Sequence, residues 1–207
     1  MQTTRKSSLR YCVQQLPREM GRQRPSVGHI ARQMKSDLSK DNQAWQAVYA
    51  DSADVDGFRQ WVRMMFDPAR AMDIGEGYGF SPFSQHAGLL SYRFFKLFTA
   101  LDERVYDKSL DTSFEKLKLI WNEQGFVNAF IRQENLEDDF ISSVAKAGIS
   151  LSDSDKASIL DGKNKKTNTS SRKAVSHYYD EETANIILQR EKFIIERFGY
   201  DVNAVLR

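Results

Sequence analysis

The pattern of apolar and polar positions predicts a chain built mainly of amphipathic helices. Apolar residues recur at intervals of three, four and seven, which places them on one face of a helix. The segments with this spacing are 7–20, about 30–50, about 55–66, 89–101, 135–148 and about 180–198. Asn135 is a suitable N-cap for the fifth helix, and Gly148 and Gly199 are suited to ending the last two.

Three other segments depart from this helical pattern. Residues 126–132, FVNAFIR, predict a strand, because the run is short, rich in aromatic and β-branched residues, and preceded by Gly125. Residues 67–88 contain glycine and proline at a density that favours an irregular loop. Residues 152–173 are polar and predict a second loop.

Composition adds limits to this picture. The 207 residues are 41% hydrophobic and 12% aromatic, which predicts a single globular domain over 1–207. The 30 basic and 28 acidic residues nearly cancel, so no whole-molecule field favours a nucleic-acid partner. Three histidines and one cysteine without ligand spacing predict no metal site.

The same composition predicts a location. Cys12 is the single cysteine, which excludes an internal disulfide and favours a reducing compartment. No apolar run approaches the roughly 20 residues that cross a bilayer, and the N-terminus lacks a signal-peptide core. We therefore expect a cytoplasmic protein without a membrane span.

Two segments of the C-terminal half resemble the sulfotransferases that modify carbohydrates. They are IRQENLEDDF at 131–140, which matches the element R-x-E-x-L-x-x-D-F, and SSRKAVSHYYDEETANIILQREKFIIERFGYD at 170–201. Both are similar to the family in order and spacing. The resemblance implies an α/β fold, rich in helices, with a P-loop-type parallel sheet that includes 126–132.

The resemblance also implies a reaction. Family members transfer a sulfuryl group from 3'-phosphoadenosine 5'-phosphosulfate (PAPS) to a hydroxyl, here that of a carbohydrate or another small acceptor. The segment SVGHIA at 26–31 resembles the family's Gly-His segment, which implies His29 as the catalytic base. Ser170 and Arg172 are implied to contact the adenosine phosphate, and a homo-oligomer is compatible with the family.

The chain departs from the family at both phosphate-binding elements. The first is K-x-x-x-[ST]-[ST]; Thr3 occupies the lysine position, which leaves Lys6, Ser7, Ser8 and Arg10 as the cofactor-binding candidates. The second, R-[ND]-P-x-x-R-x-x-S, has no counterpart in the segment that follows Trp45. Because each element follows a strand in the family, the sheet is expected to be reduced in strand number.

Three hypotheses follow from these departures. The chain is an inactive sulfotransferase product, shortened at its start and deleted internally. Alternatively, it is a divergent enzyme that binds PAPS through its remaining basic and hydroxyl residues. The third hypothesis is a non-catalytic protein that kept a surface for a glycan or a protein partner.

Overall fold

The computed structural model describes residues 26–162 and 173–201, apart from the side chains of His29 and Ser39. The α-helices in these ranges are α1 (Val27–Ser39), α2 (Asn42–Ala47), α3 (Val55–Phe66), α4 (Ala71–Ile74), α5 (Phe83–His86), α6 (Leu89–Phe98), α7 (Phe114–Gln124), α8 (Leu136–Lys146), α9 (Asp153–Asp161), α10 (Val175–Tyr178), α11 (Glu181–Arg190) and α12 (Lys192–Phe198). Four 3-10 helices cover Pro68–Arg70, Tyr78–Phe80, Asp102–Tyr106 and Gln133–Asn135. None of the described helices has both the length and the apolar character needed to cross a membrane.

The predicted α/β fold with a parallel sheet is wrong for the described residues. Within 26–162 and 173–201 there is no strand, and the β pairing consists of an isolated antiparallel bridge between Thr99 and Gly125. Residues 126–132, the predicted strand, have no regular secondary structure. A strand needs a neighbour to pair its N–H and C=O groups, and high β propensity alone does not supply one.

Three predicted helices are present at the expected places. The helix predicted at 55–66 has these bounds, the one predicted at 89–101 ends earlier, at Phe98, and the one predicted at 135–148 covers 136–146, with Gly148 after it at a φ of 78°. The predicted helix over 30–50 is instead divided into α1 and α2. The Asp41 carboxylate accepts a hydrogen bond from the N–H of Ala44 at 2.9 Å, which begins a new helix.

Two further differences between the predicted and the observed elements lie at a helix break and at a helix cap. The predicted helix over 180–198 is divided at Glu191 into α11 and α12. The predicted loop over 152–173 contains α9, which begins with a capping box between Ser152 and Asp155. The segment was predicted as a loop because its residues are mostly polar and its helix is only weakly amphipathic.

The described residues fall into two compact units, the first comprising 26–125 with 173–201 and the second 126–162. The core of the first unit is aromatic. Phe95 packs against Phe83 and Phe193, with ring centroids 5.5 and 4.7 Å apart, and all three side chains are buried. Such rings bury a large apolar area, which stabilises this unit.

Helix α11 packs on α3 through charged residues at its start. Asp180 caps α11 by accepting from the N–H of Thr183 at 2.8 Å. Its other oxygen lies 3.3 Å from the guanidinium of Arg63, which also contacts Glu182 at 2.7 Å. The ring of Tyr179 meets that of Phe58 edge-on at 5.1 Å. The Tyr-Tyr-Asp segment of the sulfotransferase resemblance therefore has a structural role here.

The second unit has a thinner core than the first. Its helices α8 and α9 contain no buried residue within 126–162. Its strongest polar contact joins Arg132 to Asp139 through two guanidinium hydrogen bonds of 2.8 and 3.0 Å. These bonds, with one from the backbone N–H of Arg132, hold the pKa of Asp139 at about 2.

Candidate ligand-binding groove

A groove of about 210 Å³ lies between α7 and α12 in the first unit. Its walls are formed by Phe114, Lys118, Trp121, Asn122, Phe193, Glu196 and Arg197. The four residues from α7 are spaced by four, three and one positions, and those from α12 by three and one. These spacings place each set on one face of its helix, so the two faces meet across the groove.

The floor of the groove is aromatic and rigidly supported. The indole ring of Trp121 and the ring of Phe193 both pack on Phe94 of α6, with centroid distances of 5.0 and 5.5 Å. Gly125 allows this arrangement, because a Cβ there would lie 2.7 Å from the indole atom Cε3 and from the carbonyl oxygen of Trp121. The half-buried Trp121 therefore presents a fixed apolar surface.

Three cations lie over the rings of this groove. The guanidinium of Arg197 is 5.3 Å from the Trp121 centroid. The ammonium groups of Lys192 and Lys118 are 4.1 and 5.1 Å from the centroid of Phe114. Aromatic faces attract cations, so the rings hold these long side chains near the groove.

Two of the cations have carboxylate partners close by. Lys118 lies 3.5 Å from Glu115, and Lys192 lies 3.7 Å from Glu196. Each lysine side chain is about half exposed, so these pairs contribute little to stability and exchange readily. Together with Arg197, the five charges sum to one positive charge.

The groove combines an aromatic floor with charged groups. Among the described residues that line it, Glu196 is the one carboxylate, and there is no histidine, cysteine, serine or tyrosine. An aromatic floor beside cationic groups can bind a flat or cyclic ligand that carries a negative charge.

Lys96 lies in a different polar cluster of the first unit. Its ammonium donates to the hydroxyl of Tyr106 at 2.9 Å, to that of Tyr92 at 3.1 Å and to the carbonyl of Glu76 at 3.2 Å. The Glu76 side chain forms an ion pair with Arg93, which lowers the pKa of the carboxyl. These bonds use all three ammonium donors, so the cluster serves to hold the turn at 75–77.

A second buried network joins Arg190 and Glu191 to the start of α6. The Glu191 carboxylate accepts from the N–H groups of Leu90 and Ser91 at 2.9 and 2.8 Å. Arg190 donates to the carbonyl of Ser84 at 2.7 Å. Burial raises the pKa of Glu191, although these hydrogen bonds oppose the shift. Both side chains therefore hold the junction of α11 and α12 to the segment that leads into α6.

A third network lies beneath α1. The carboxylate of Asp73 accepts a hydrogen bond from the indole N–H of Trp45 at 2.9 Å. The ammonium of Lys40 donates to the backbone carbonyl of Asp73 at 3.3 Å. Burial raises the pKa of Asp73 and lowers that of Lys40. The neighbouring Asp37 is 5% exposed, and its Oδ2 atom has no hydrogen-bond partner.

The site residues predicted from sequence have no described side chains. The backbone of His29 belongs to α1, while its side chain lies outside the description. The remaining candidates are also outside the described residues: Lys6, Ser7, Ser8, Arg10, Ser170 and Arg172. Two other histidines are exposed; His86 ends α5, and His177 lies 3.1 Å from the ammonium of Lys173.

The described residues do not include the strand-to-helix phosphate-binding elements that the resemblance implies. A nucleotide phosphate is usually bound by free N–H groups at the start of a helix that follows a strand, and the described ranges contain no strand. The start of α6 is occupied by Glu191. Acidic residues occupy the first turns of α3, α7, α8, α9 and α11, where they repel an anion.

Sequence reasoning missed the groove residues. No helix was predicted over 114–124, although Phe114, Lys118 and Trp121 recur at helical spacing. That spacing was the available signal for a shared face. The pairing of this face with α12 was not accessible from sequence, because it depends on how both helices pack on Phe94.

In the described ranges, no three side chains among histidine, cysteine, aspartate and glutamate come together as metal ligands. Comparisons of the whole chain with protein-family models, curated proteins and solved structures found no match.

Proposed function

We propose that this protein binds a carbohydrate carrying an acidic group, in the groove between α7 and α12, without chemically changing it. The observation that carries the proposal is the half-buried indole of Trp121 with the guanidinium of Arg197 over its ring, 5.3 Å from the ring centroid. The proposal agrees with the third sequence hypothesis, a non-catalytic glycan-binding protein.

The two parts of the groove complement the two parts of such a ligand. The flat apolar indole suits the C–H face of a sugar ring, which is itself apolar. A guanidinium forms paired hydrogen bonds with a carboxylate or sulfate, and these bonds are stronger than neutral ones. Lys118 and Lys192 add charge at the rim.

The proposal is tested by titrating the full chain with a heparin hexasaccharide in a calorimeter. Lys118→Gln should weaken binding about two- to fivefold, the range for one exposed ion pair, and Arg197→Gln by at least as much. Trp121→Leu should weaken it further. Lys116→Gln is the matched control, because Lys116 is exposed on the same helix but outside the groove lining.

Binding should also weaken as salt rises, because salt screens exposed charges. Equal losses from Lys116→Gln and Lys118→Gln would show that the saccharide binds by general charge alone. The absence of heat at millimolar saccharide would exclude the groove as a glycan site.

Sulfuryl transfer from PAPS to a carbohydrate hydroxyl is the second candidate function, favoured by the resemblance of 131–140 and 170–201. Lys6, Ser7, Ser8, Arg10, Ser170 and Arg172 are the proposed cofactor-binding residues, and His29 is the proposed base. The product nucleotide, 3'-phosphoadenosine 5'-phosphate, should then raise the melting temperature in proportion to the logarithm of its concentration. An unchanged melting temperature at millimolar nucleotide would exclude this candidate.

The proposed setting is the cytoplasm, because a protein whose single cysteine is Cys12 needs no oxidising compartment. A homo-oligomer is also proposed, because it is compatible with the sulfotransferase resemblance. Sedimentation equilibrium of the full chain measures the oligomeric state directly.

A further inference from the structure

The charged groups of the groove between α7 and α12 are divided between its two ends. Phe114 and Trp121 lie seven positions apart on α7, which is about 10 Å along a helix. The ammonium of Lys192 lies 4.1 Å from the Phe114 centroid and 3.7 Å from the carboxylate of Glu196. This carboxylate therefore lies toward the Phe114 end, whereas the guanidinium of Arg197 lies over Trp121.

Glu196 is the lining residue that a negatively charged ligand alone does not explain. A carboxylate accepts hydrogen bonds and donates none, so it repels a sulfate or a second carboxylate placed against it. The side chains of Lys192 and Glu196 are each half exposed, and a pair of this kind exchanges readily for a contact with a ligand. A hydroxyl suits this position, because it donates a hydrogen bond to the carboxylate.

Asn122 adds an uncharged polar group at the Trp121 end. Its side chain is exposed and lines the groove directly after Trp121 in α7. A side-chain amide both donates and accepts hydrogen bonds, so it pairs with a hydroxyl in either direction. The guanidinium of Arg197 has five N–H donors, and two of them are enough to bind a carboxylate. The groove therefore offers an anion contact at one end and hydroxyl contacts at both.

We propose that the ligand of this groove is a uronic-acid saccharide with free hydroxyls, and that Glu196 selects against sulfated saccharides. Because the ligand occupies the same groove, this selectivity rests on the proposed function. The carboxylate of the sugar pairs with Arg197 over the indole of Trp121. The hydroxyls of the saccharide donate to Glu196 and pair with Asn122. Sulfation replaces an O–H donor with an anionic acceptor, which then meets the Glu196 carboxylate with like charge.

The test compares trigalacturonate with its O-sulfated derivative by calorimetry on the full chain. The two saccharides carry the same carboxylates and differ in whether their hydroxyls are free. Trigalacturonate should bind about two- to fivefold more tightly, the range for one exposed charge contact. General charge attraction to the cations of the groove predicts the opposite order, because the sulfated derivative is the more negative ligand.

Variants assign the preference to individual residues. Glu196→Gln should reduce the affinity ratio of the two saccharides about two- to fivefold, because a carboxamide is uncharged and donates to a sulfate. Glu123→Gln is the matched control, since it removes the same charge from an exposed position of α7 outside the groove lining. Asn122→Ala should weaken trigalacturonate about two- to tenfold, as expected for one hydrogen bond. Circular dichroism of each variant checks folding.

Three results would overturn this selectivity alone: tighter binding of the sulfated derivative, equal affinity ratios in Glu196→Gln and Glu123→Gln, or heat with heparin hexasaccharide but none with trigalacturonate. In each of these cases heparin still binds, so the groove remains a glycan site. Heat with neither heparin nor trigalacturonate would overturn the proposed function together with the selectivity.

Discussion

The carboxylate of Glu191 accepts two hydrogen bonds from Ser91, at 2.8 Å from the backbone N–H and at 2.7 Å from the hydroxyl, although the residues are 100 positions apart. Glu191 also binds the first N–H groups of α6, and so it holds the junction between α11 and α12 against that helix. Gly88 makes room for this contact, since a Cβ there would lie 2.0 Å from a carboxylate oxygen of Glu191.

Replacing Glu191 with glutamine should destabilise the first unit. A carboxamide presents an N–H₂ group where the N–H of either Leu90 or Ser91 needs an acceptor. Leaving one buried donor unsatisfied costs about 1–3 kcal/mol in the free energy of unfolding, which urea denaturation measures. Glu123→Gln, an exposed substitution on α7, should change this free energy by less than about 0.5 kcal/mol. Equal losses in the two variants would contradict the assigned role.

Replacing Lys96 with methionine should also destabilise the first unit, by about 1–3 kcal/mol. The change keeps the apolar stem but removes the ammonium that donates to the hydroxyls of Tyr92 and Tyr106. Thermal unfolding followed by circular dichroism measures the effect. Lys116→Met on α7 is the control, and a melting temperature equal in both variants would show that the ammonium has no structural role.

Gly125 should resist substitution for a purely steric reason. Its φ of −67° is accessible to any residue, but an alanine Cβ would meet the backbone and ring of Trp121 at 2.7 Å. Gly125→Ala should cost about 1–3 kcal/mol in unfolding free energy and should move the indole NMR signal of Trp121. Gly162→Ala is the matched control, because no atom lies within 4 Å of its added Cβ. An unmoved indole signal would contradict the close approach.

The second unit should lose stability in acid through Asp139. The pKa of this carboxyl is held at about 2, below the ordinary value of 3.8. A lowered pKa means that the stabilisation is complete above pH 3.8 and is lost as the pH falls toward 2. Carboxyl-carbon NMR titration measures this pKa directly.

Variants separate the causes of this shift. Arg132→Gln should raise the pKa of Asp139 most, because the guanidinium hydrogen bond is the largest cause of its lowering. Lys146→Gln should raise it only slightly, since Lys146 acts by a weaker charge effect. A pKa still near 2 in Arg132→Gln would show that the pairing does not form in solution.

Apolar periodicity predicted a helix correctly where interactions within that helix determine its bounds. The helix over 55–66 was predicted with its observed bounds from its apolar periodicity, and its N-cap, Asp54, also acts within a few positions. The break at Asp41 and the helix that begins after Ser152 were also local, but were missed because the capping chemistry of these residues went unrecognised.

The strand over 126–132 failed for the opposite reason. Its aromatic and β-branched residues favour a strand, yet strand pairing needs a distant partner, and the described residues provide none. The sulfotransferase resemblance led to the same error, because it carried a sheet along with the motif. The predicted cofactor residues and the side chain of His29 lie outside the description, so their roles remain predictions.

By itself, the sequence determined the helical character of the chain and the ends of several helices, since periodicity and glycine caps act over one or two turns. Only the tertiary structure decided which faces meet. The groove depends on Trp121 and Phe193 packing against one ring, that of Phe94. The attachment of the α11–α12 junction to α6 depends on the hydrogen bond between Glu191 and Ser91. Contacts between residues far apart in the chain arise from packing, which no local pattern encodes.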